Sequence, residues 1–278
     1  MDREAVIERT ELFEKVEEFA GIDMRLKQQL ALLEELRLHY PAINFSKEQR
    51  DGERYYYDNA YFSYSDAIFY SLLIRYFKPK RIIEVGSGFS SACALDTLEA
   101  MSHKAELAFI DPSLDRLNSL LKAKDKESYR IEIINTVVQE IPSVFFKSLK
   151  QNDILFIDSS HVSKTGSDLN YLLHEILPSL NEGVMVHFHD VFHNFEYPQA
   201  WIEEGISLNE QYMLRSFLQF NDSFGILLFN NYLEVHYREW FEQHMPRCLE
   251  LHERYSMGPK KGELNGDVMG QGLWLLRL

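Results

Sequence analysis

The stretch Arg81-Ile82-Ile83-Glu84-Val85-Gly86-Ser87-Gly88-Phe89-Ser90-Ser91 decides the fold. Its first five residues form a short and mostly apolar run, and such runs are typical of strands buried on both faces of a parallel sheet. Gly86-Ser87-Gly88 follows directly, and glycine lets a backbone turn sharply and approach a ligand closely. The stretch therefore predicts a buried strand, a tight turn and the start of a helix.

Short apolar runs of the same kind recur along the chain. Helix-length segments separate most of them, and this alternation predicts an α/β fold with a doubly wound, mostly parallel sheet. In such a fold ligands bind beyond the carboxyl ends of the strands, so the residues that follow each run are the candidate site. The further predicted strands cover residues 107–110, 131–134, 154–157, 184–188, 224–229 and 273–277, and a helix is predicted over 232–244.

The N-terminal region has a different pattern. Three leucines between positions 26 and 33 have helical spacing with charged residues between them, and Pro41 stops that pattern. We expect residues 1–55 to form a helical extension that packs as a cap on the main domain. A dimerisation arm, and with it a homo-oligomer, is the alternative. Residues 56–278 then form the main domain.

A tyrosine-rich link leads into the first helix of the main domain. Ser63 and Asp66 have the spacing of a capping box, and an apolar helical pattern starts at Ile68. Lys78-Pro79-Lys80 is expected to end this helix, because proline does not continue a helix and restricts the residue before it.

The composition limits the partners and the compartment. Lys and Arg number 29 and Asp and Glu number 43, which gives a formal net charge of −14. This charge opposes non-specific attraction to nucleic acid and to anionic membranes, and no apolar stretch approaches the roughly 20 residues that span a bilayer. Cys93, in a predicted buried helix, and the distant Cys248 are expected to be free thiols. With an acidic start that lacks an apolar run, these features predict a cytoplasmic protein.

Two residues around the glycine turn distinguish a methyl-donor site from a dinucleotide site, and a third, Asp111, suits both. Glu84 lies two residues before Gly86, where a carboxylate repels a pyrophosphate but suits the cationic centres of S-adenosylmethionine. Ser91 stands where a dinucleotide fingerprint has its third glycine. Asp111 follows the second predicted strand, 25 residues after Gly86, and could accept both hydroxyls of a ribose. This last feature suits NAD equally well.

Glu84-Val85-Gly86-Ser87-Gly88 resembles the first motif of the class I S-adenosylmethionine-dependent methyltransferases, and Asp111 is similar to their ribose-binding acid. The resemblance implies a seven-stranded sheet whose last strand is antiparallel and lies beside the sixth. It also implies S-adenosyl-L-methionine as the cofactor, with Gln139 near the adenine and Tyr64 near the methionine carboxylate. The residues expected to bind the cofactor are Glu84, Gly86, Ser87, Gly88, Ser90, Ser91, Asp111, Pro112, Gln139 and Tyr64.

Carboxylates and histidines follow the fourth and fifth predicted strands. Asp158 and His161 follow the fourth strand, and His189-Asp190 follows the fifth. Two carboxylates at neighbouring strand ends can share one hard divalent cation, and such an ion can hold substrate oxygens and lower the pKa of a hydroxyl. The ordinary pKa of histidine lies near neutrality, so His161 is a candidate general base.

Asp158 and His161, with His189-Asp190 one strand later, resemble the metal-dependent small-molecule and sugar O-methyltransferases, the macrocin-type enzymes in particular. The resemblance implies that Asp158 and Asp190 are metal ligands and that Asp158 and His161 are catalytic. His189 stands where those enzymes have an acidic residue, so we expect it to be a third ligand. Histidine favours softer ions than Mg²⁺, so Mg²⁺ and other divalent cations stay open.

Residues 194–220 form an insertion that is rich in aromatic side chains. Aromatic faces pack well on sugar rings, so we expect this insertion to be a lid over a sugar or another hydroxylated small molecule. The alternative is that its aromatic residues pack inward. For the whole chain, the alternatives to an O-methyltransferase are a nicotinamide-dependent oxidoreductase and a non-catalytic relative with the same fold.

Overall fold

A sheet of seven strands forms the centre of the molecule. The computed structural model describes residues 3–128, 130–251 and 270–278. In chain order the strands are β1 Arg81–Val85, β2 Glu106–Ile110, β3 Ile131–Ile134, β4 Ile154–Ile157, β5 Met185–Phe188, β6 Phe224–Phe229 and β7 Leu273–Arg277.

The order of the strands across the sheet is β3-β2-β1-β4-β5-β7-β6. All pairings among strands β1 to β5 are parallel. Strand β7 is antiparallel to both of its neighbours, β5 and β6. The chain reverses its direction of winding between β1 and β4, which is where a doubly wound sheet opens a crevice for a ligand. The predicted doubly wound, mostly parallel sheet with an antiparallel last strand is confirmed.

Helices cover the sheet, since β4 and β5 are buried along their whole length. The α-helices of the described residues are α1 Arg3–Ile7, α2 Leu26–Leu36, α3 Tyr64–Phe77, α4 Phe89–Ala100, α5 Asp115–Leu120, α6 Ala123–Lys126, α7 Ser143–Phe146, α8 Asp168–Tyr171, α9 Gln199–Glu203, α10 Glu210–Leu218, α11 Asn230–His236 and α12 Arg238–His244.

The predicted strands agree with the structure to within one residue at their ends. Strand β2 begins one residue earlier than predicted, at Glu106, which is exposed but pairs with Arg81 of β1 at 3.1 Å. Strand β5 begins one residue later, because the amide of Val184 donates to Asn181 in the preceding turn. Charge pairing and turn geometry, rather than apolar character, decide these two ends.

The predicted capping box at the start of α3 is wrong. The hydroxyl of Ser63 donates to the carbonyl of Tyr57 at 3.3 Å, and no side chain caps the helix. Asp66 instead accepts the amide of Gln271 at 2.8 Å, just before β7. The end of this helix agrees with the prediction, since Lys78 adopts a left-handed conformation directly after Phe77.

The region before residue 56 packs on the β6 edge of the sheet. The predicted helical leucines lie in α2, and the buried side chain of Gln29 accepts the amide of Phe229 at 2.8 Å. Apolar residues of this region belong to the same core as the sheet, so the two parts share one interior. The boundary at residue 55 stays a prediction. Arg54 is 3% exposed and ties this region to the α4–α6 segment through Asp96, Glu99 and Asp125.

Two further expectations concern the cysteines and the membrane. Cys93 and Cys248 are both buried and unpaired, as predicted. Within residues 3–128, 130–251 and 270–278, no helix combines the length and the apolar character needed to cross a membrane.

Candidate functional site

The glycine turn, Gly86-Ser87-Gly88, connects β1 to α4 at the carboxyl edge of the sheet. Gly86 has a φ of +83°, and a Cβ atom built there would lie 1.9 Å from the carbonyl oxygen of Asp158. Both the left-handed backbone and the lack of space require glycine. The glycine turn therefore packs directly against the residue that follows β4.

Aromatic and cationic side chains cover the outer side of the glycine turn. A Cβ atom on Gly88 would lie 2.7 Å from Cδ of Arg116 in α5. The guanidinium carbon of Arg116 lies 3.6 Å from the ring centre of Tyr61, and Tyr61 stacks on Phe89 with their ring centres 6.0 Å apart. These side chains form one wall beside the turn.

Glu84 lies beneath the glycine turn and has no exposed surface. Its carboxylate accepts hydrogen bonds from the hydroxyls of Tyr70 at 2.8 Å, Ser90 at 3.4 Å and Ser91. Burial raises the pKa of Glu84 to about 7, although the three hydroxyls lower it in part. The carboxylate thus orders the turn from below. Direct contact of Glu84, Ser90 and Ser91 with a cofactor would require these hydroxyls to reorient, and it stays a prediction.

Asp111 holds the glycine turn from the end of the neighbouring strand β2. Its Oδ2 accepts the amide of Ser87 at 2.8 Å and the hydroxyl of Ser87 at 3.1 Å, and its Oδ1 accepts the amide of Ser113 at 2.7 Å. A carboxylate offers about four acceptor positions, so Asp111 can still accept a ligand hydroxyl. Pro112 beside it is exposed.

Gln139 and Tyr64 have other partners. The amide of Gln139 donates to the carbonyl of Gly166 at 3.0 Å. The ring of Tyr64 stacks on Tyr57 with a centroid distance of 4.6 Å. Neither contact involves the glycine turn, so the cofactor roles of these two residues stay predictions.

Asp158, His161 and Asp190 converge next to the glycine turn, and we call them the carboxylate–imidazole cluster. Nε2 of His161 lies 3.2 Å from Oδ1 of Asp158 and 3.4 Å from Oδ2 of Asp190. One possible ligand atom from each residue lies within 4.8 Å of the other two. The convergence follows from the sheet, because β4 and β5 are neighbours and their carboxyl ends share one edge.

The loop that carries His161 is fixed by hydrogen bonds on both sides. Ser160 donates its amide and its hydroxyl to Asp168 at 2.8 and 2.5 Å. The carbonyl oxygen of His161 accepts the amides of Asn209 at 3.1 Å and Glu210 at 3.2 Å, where α10 begins. The insertion and the loop after β4 are therefore joined through the backbone of His161.

Two members of the carboxylate–imidazole cluster have a strained backbone. His161 has a φ of +56° and Asp190 a φ of +59°. A left-handed conformation costs a residue with a side chain about 1–2 kcal/mol. Strain of this kind collects at functional sites, where the surrounding structure enforces it.

Glu210 completes the surroundings of His161, and the sequence did not predict it. Its Oε2 lies 2.6 Å from Nδ1 of His161, and its side chain is 1% exposed. An acidic residue in the first turn of a helix is common, since it interacts favourably with the helix dipole. The sequence therefore carries no signal that this glutamate turns inward toward a residue 49 positions away.

Carboxylates determine the charge of His161. Burial lowers the pKa of His161, but the charges of Glu210 and Asp190 and the hydrogen bond to Asp158 outweigh burial and raise it well above its usual range. Burial raises the pKa of Asp158, but the hydrogen bond from His161 and the charge of His189 outweigh it and lower this pKa to about 2. These contacts favour the protonated imidazole, which must lose a proton before it can act as a base.

His189 lies beside the carboxylate–imidazole cluster rather than in it, and its expected role as a metal ligand stays a prediction. His189 and Asp190 follow the end of β5 at Phe188, and Asp190 has a left-handed φ of +59°. The ring of His189 lies 5.5 Å from that of Phe62 and 5.8 Å from that of His187. Its Nε2 is 3.7 Å from Oδ1 of Asp190. His161, and not His189, brings the third polar atom within 4.8 Å of the two carboxylates.

Several aromatic residues of the insertion pack inward, whereas Tyr212 is 40% exposed and Phe220 is 88% exposed. Tyr197 stacks on Trp201 with ring centres 6.0 Å apart, and both contact Phe192. Phe195 is fully buried against Phe19, with ring centres 5.1 Å apart. The insertion thus reaches the carboxylate–imidazole cluster through Glu210 and not through its aromatic faces.

The donor atoms of the carboxylate–imidazole cluster fit a divalent cation. Two carboxylate oxygens suit hard ions such as Mg²⁺, and the imidazole nitrogen beside them extends the fit to Mn²⁺ and other borderline ions. Their convergence at one edge provides the multiple ligands that such an ion requires.

Known proteins share this arrangement in part. A family model described as a methyltransferase domain matches residues 83–191, which run from β1 to the residue after Asp190. An uncharacterised protein of Archaeoglobus fulgidus is 30% identical over 154 residues, which are 53% of this chain and 68% of that relative.

Two of the solved structures that resemble this chain have SAM or SAH in their names. The SAH-bound methyltransferase PaMTH1 of Podospora anserina is 15% identical, with 82% of this chain and 92% of that chain covered and a TM-score of 0.42. CmcI with Mg and SAM is 15% identical, with 76% and 71% covered and a TM-score of 0.38.

The matched segment contains the glycine turn, Asp111 and the whole carboxylate–imidazole cluster. The order of the sheet and its antiparallel β7 are those of the class I enzymes. The chain therefore belongs to the methyltransferase-domain family, as a class I S-adenosylmethionine-dependent methyltransferase.

Proposed function

We propose that this methyltransferase transfers a methyl group from S-adenosylmethionine to a hydroxyl oxygen of a small molecule such as a sugar. The contact between Gly86 and the backbone of Asp158 carries the proposal. It brings the turn expected to hold the methyl donor against a cluster that suits a hydroxylated acceptor. A methyl donor and its acceptor need this proximity, since reacting atoms must approach to about 3–3.5 Å.

The glycine turn and Asp111 are the proposed binding elements for the methyl donor. S-adenosylmethionine, when bound, supplies a methyl group that its sulfonium makes electrophilic. The backbone at Gly86 and Gly88 carries no side chain that would block a ligand, and Asp111 keeps an acceptor position for a ribose hydroxyl. The carboxylates of Asp158 and Asp190 give this edge the negative charge that suits a cationic donor.

Asp158 and Asp190 are the proposed ligands of a divalent cation. Such an ion, Mg²⁺ or Mn²⁺, supplies the positive charge that holds acceptor oxygens and lowers the pKa of a hydroxyl. Their oxygens both face Nε2 of His161, so the base and the ion would act on the same acceptor hydroxyl.

His161 is the proposed general base. Its Nε2 would take the proton of the acceptor hydroxyl while the acceptor oxygen attacks the methyl carbon and the bond from that carbon to sulfur breaks. The products are a methyl ether and S-adenosylhomocysteine. Asp158 and Asp190 then stabilise the imidazolium through the contacts of 3.2 and 3.4 Å.

The partners and the compartment are part of the proposal. A net charge of −14 favours a small-molecule acceptor over nucleic acid or an anionic membrane. The two buried, unpaired cysteines suit the reducing cytoplasm. The nicotinamide alternative is not supported, because the family is that of the methyltransferases. An activity assay must exclude the remaining alternative, a non-catalytic relative with the same fold.

Calorimetry and a transfer assay test the proposal together. We expect S-adenosylhomocysteine to bind and NAD not to bind. We also expect transfer of labelled methyl from S-adenosylmethionine to at least one member of a panel of sugars and phenols. Binding of NAD alone would overturn the cofactor, and full activity after exhaustive chelation would overturn the metal.

The variant His161→Ala distinguishes a base from a ligand. As a base, His161 is needed for transfer but not for the metal, so the variant should lose activity and keep its affinity for Mn²⁺. Loss of Mn²⁺ binding would make His161 a ligand instead. Wild-type activity would remove it from both roles.

A further inference from the structure

We propose that Glu210, a residue of the insertion, is the positioning residue of His161. The inference deepens the proposed function and rests on it, because it concerns the residue assigned there as the base. The side chain of Glu210 binds the imidazole of His161, and no direct contact with the acceptor or the methyl donor is proposed for it. It acts through the imidazole ring.

The contacts of the imidazole ring divide its two nitrogens between two partners. Nδ1 is 2.6 Å from Oε2 of Glu210, and Nε2 faces Asp158 and Asp190 at 3.2 and 3.4 Å. A hydrogen bond from Nδ1 to a carboxylate keeps the proton on Nδ1, so the neutral ring carries its free lone pair on Nε2. Glu210 therefore selects the nitrogen that faces the acceptor side.

Glu210 also fixes the direction of the ring. Its amide donates to the carbonyl oxygen of His161 at 3.2 Å, while its side chain binds the ring of the same residue. His161 is thus held at its backbone and at its side chain by one residue. This double contact accounts for the left-handed φ of +56°, which costs about 1–2 kcal/mol without such support.

The burial of Glu210 argues against a purely structural role. A carboxylate with 1% exposure is costly unless it is paired, and Oε1 has no partner among the residues that the structure describes. If stability alone mattered, an apolar residue of similar size would suit this position better. The carboxylate is explained by the one group that it binds, the imidazole of His161.

The position of Glu210 in the chain gives the proposal its wider meaning. Residues 194–220 lie between β5 and β6, and they bring this carboxylate to a histidine that follows β4. The expected role of the insertion as a lid over the substrate stays a prediction, and some of its aromatic faces pack on one another. Its contribution to the reaction is the orientation of the base.

The first test compares three variants of the full chain. Glu210→Ala removes the acceptor of the Nδ1 hydrogen bond, whereas Glu210→Gln keeps an oxygen that can accept it. Glu196→Gln is the matched control, because Glu196 lies in the same insertion and binds the hydroxyl of Tyr212 instead of His161. For each variant we would measure kcat, the KM of the acceptor, the Kd of S-adenosylhomocysteine and the melting temperature.

A positioning role predicts a loss confined to kcat. We expect kcat of Glu210→Ala to fall by about 10–100-fold, as for other partners that orient a functional histidine. The KM of the acceptor and the Kd of S-adenosylhomocysteine should stay within about twofold. Glu210→Gln should recover most of kcat, and Glu196→Gln should match the wild type. An unchanged kcat in a folded Glu210→Ala, or equal losses of kcat, KM and Kd in both Glu210 variants, would overturn the proposal.

A second measurement does not depend on activity or on the folding of Glu210→Ala. In the ¹H–¹⁵N spectrum of the metal-free wild type we expect a downfield, slowly exchanging Nδ1 proton, assigned to His161 by its absence from His161→Gln. It should move in Glu210→Gln and remain in Glu196→Gln. If no acceptor is ever methylated, the proposed function fails while this signal still decides the contact. Absence of the signal in the wild type overturns the positioning role.

Discussion

The glycine turn and the carboxylate–imidazole cluster touch each other, but they are built in different ways. The glycine turn is held by hydrogen bonds among residues 84–91 and by Asp111 at the end of the adjacent strand β2. The carboxylate–imidazole cluster is assembled from two strand ends and is completed by Glu210 of the insertion.

The difference between the two regions teaches what holds each in place. Steric exclusion holds the glycine turn, since the space at Gly86 admits no side chain. Attraction between His161 and the three carboxylates around it holds the carboxylate–imidazole cluster. A substitution that adds volume should therefore damage the first region most, and one that removes charge should damage the second.

The largest effect is expected from Gly86→Ala. The new Cβ would lie 1.9 Å from the carbonyl oxygen of Asp158, so the turn must move away from β4. The left-handed backbone costs about 1–2 kcal/mol, and the forced displacement adds about 1–3 kcal/mol. We expect calorimetry to show no binding of S-adenosylhomocysteine and thermal unfolding to occur well below the wild-type temperature.

Gly52→Ala is the matched control for that substitution. Gly52 has a φ of +85°, nearly the same as Gly86, but no atom lies within 4 Å of the position of its Cβ. The left-handed backbone alone should therefore destabilise Gly52→Ala, and this variant should keep its affinity for S-adenosylhomocysteine. Equal damage from the two substitutions would show that backbone strain, and not the contact with Asp158, governs the glycine turn.

The next effect is expected in the carboxylate–imidazole cluster, from Asp158→Asn and Asp190→Asn. Each substitution removes one of the two proposed anionic ligands, so methyl transfer and the affinity for Mn²⁺ should both fall by about 100-fold or more. Affinity for S-adenosylhomocysteine should change far less. Calorimetry with each ligand and a transfer assay measure these three quantities.

Asp153→Asn is the control at the other end of the same strand. Asp153 precedes β4 and accepts the amides of Lys80 and Arg81 at 2.9 Å. It should lower the melting temperature without weakening Mn²⁺ binding. A loss of Mn²⁺ affinity in Asp153→Asn, or none in Asp158→Asn and Asp190→Asn, would contradict the assignment of the ligands.

The smallest effect concerns the charge beneath the glycine turn. The pKa of Glu84 is raised from an ordinary value of 4.5 to about 7, so between these values the folded protein binds a proton that the unfolded chain has lost. The free energy of unfolding should therefore fall as pH rises from about 4.5 to 7, with a slope of at most about 1.4 kcal/mol per pH unit from this group.

Glu84→Gln should remove that contribution, because glutamine can still pair with the hydroxyls of Tyr70 and Ser91 but does not titrate. Denaturant unfolding at several pH values measures the difference between the two proteins. We expect the two stability curves to differ in slope between about pH 4.5 and 7 and to run parallel outside this range. Parallel curves throughout would mean that the carboxylate is not the group beneath the turn that binds the proton.

The sequence was sufficient for the sheet because the signals for its strands are local. Runs such as Ile154–Ile157 are wholly apolar and wholly buried, so the pattern and the structure report the same property. The pairing of Asp158 with Asp190 was also predictable, since adjacent parallel strands end at one edge. These inferences need only the order of the strands.

The rest depends on partners that are distant in the sequence. Asp66 has the local spacing of a capping residue, but it binds Gln271, 205 positions away. Glu210 looks like an ordinary first-turn acid until α10 is placed against His161. His189 follows a strand and precedes an aspartate, yet its ring lies 5.5 Å from that of Phe62. Local pattern identifies such residues without showing which neighbour they meet.

The place of β7 in the sheet has a consequence for the synthesis of the chain. Strand β7 lies between β5 and β6, although 43 residues separate the end of β6 from its start. A ribosome adds roughly 5–20 residues per second, so roughly 2–9 seconds pass between the synthesis of β6 and that of β7, the strand that joins it to the sheet. During this interval the edge of β5 lacks its partner, and unpaired edges are where nascent chains associate wrongly. The pairing of the seven strands is thus complete only when β7 enters between β5 and β6.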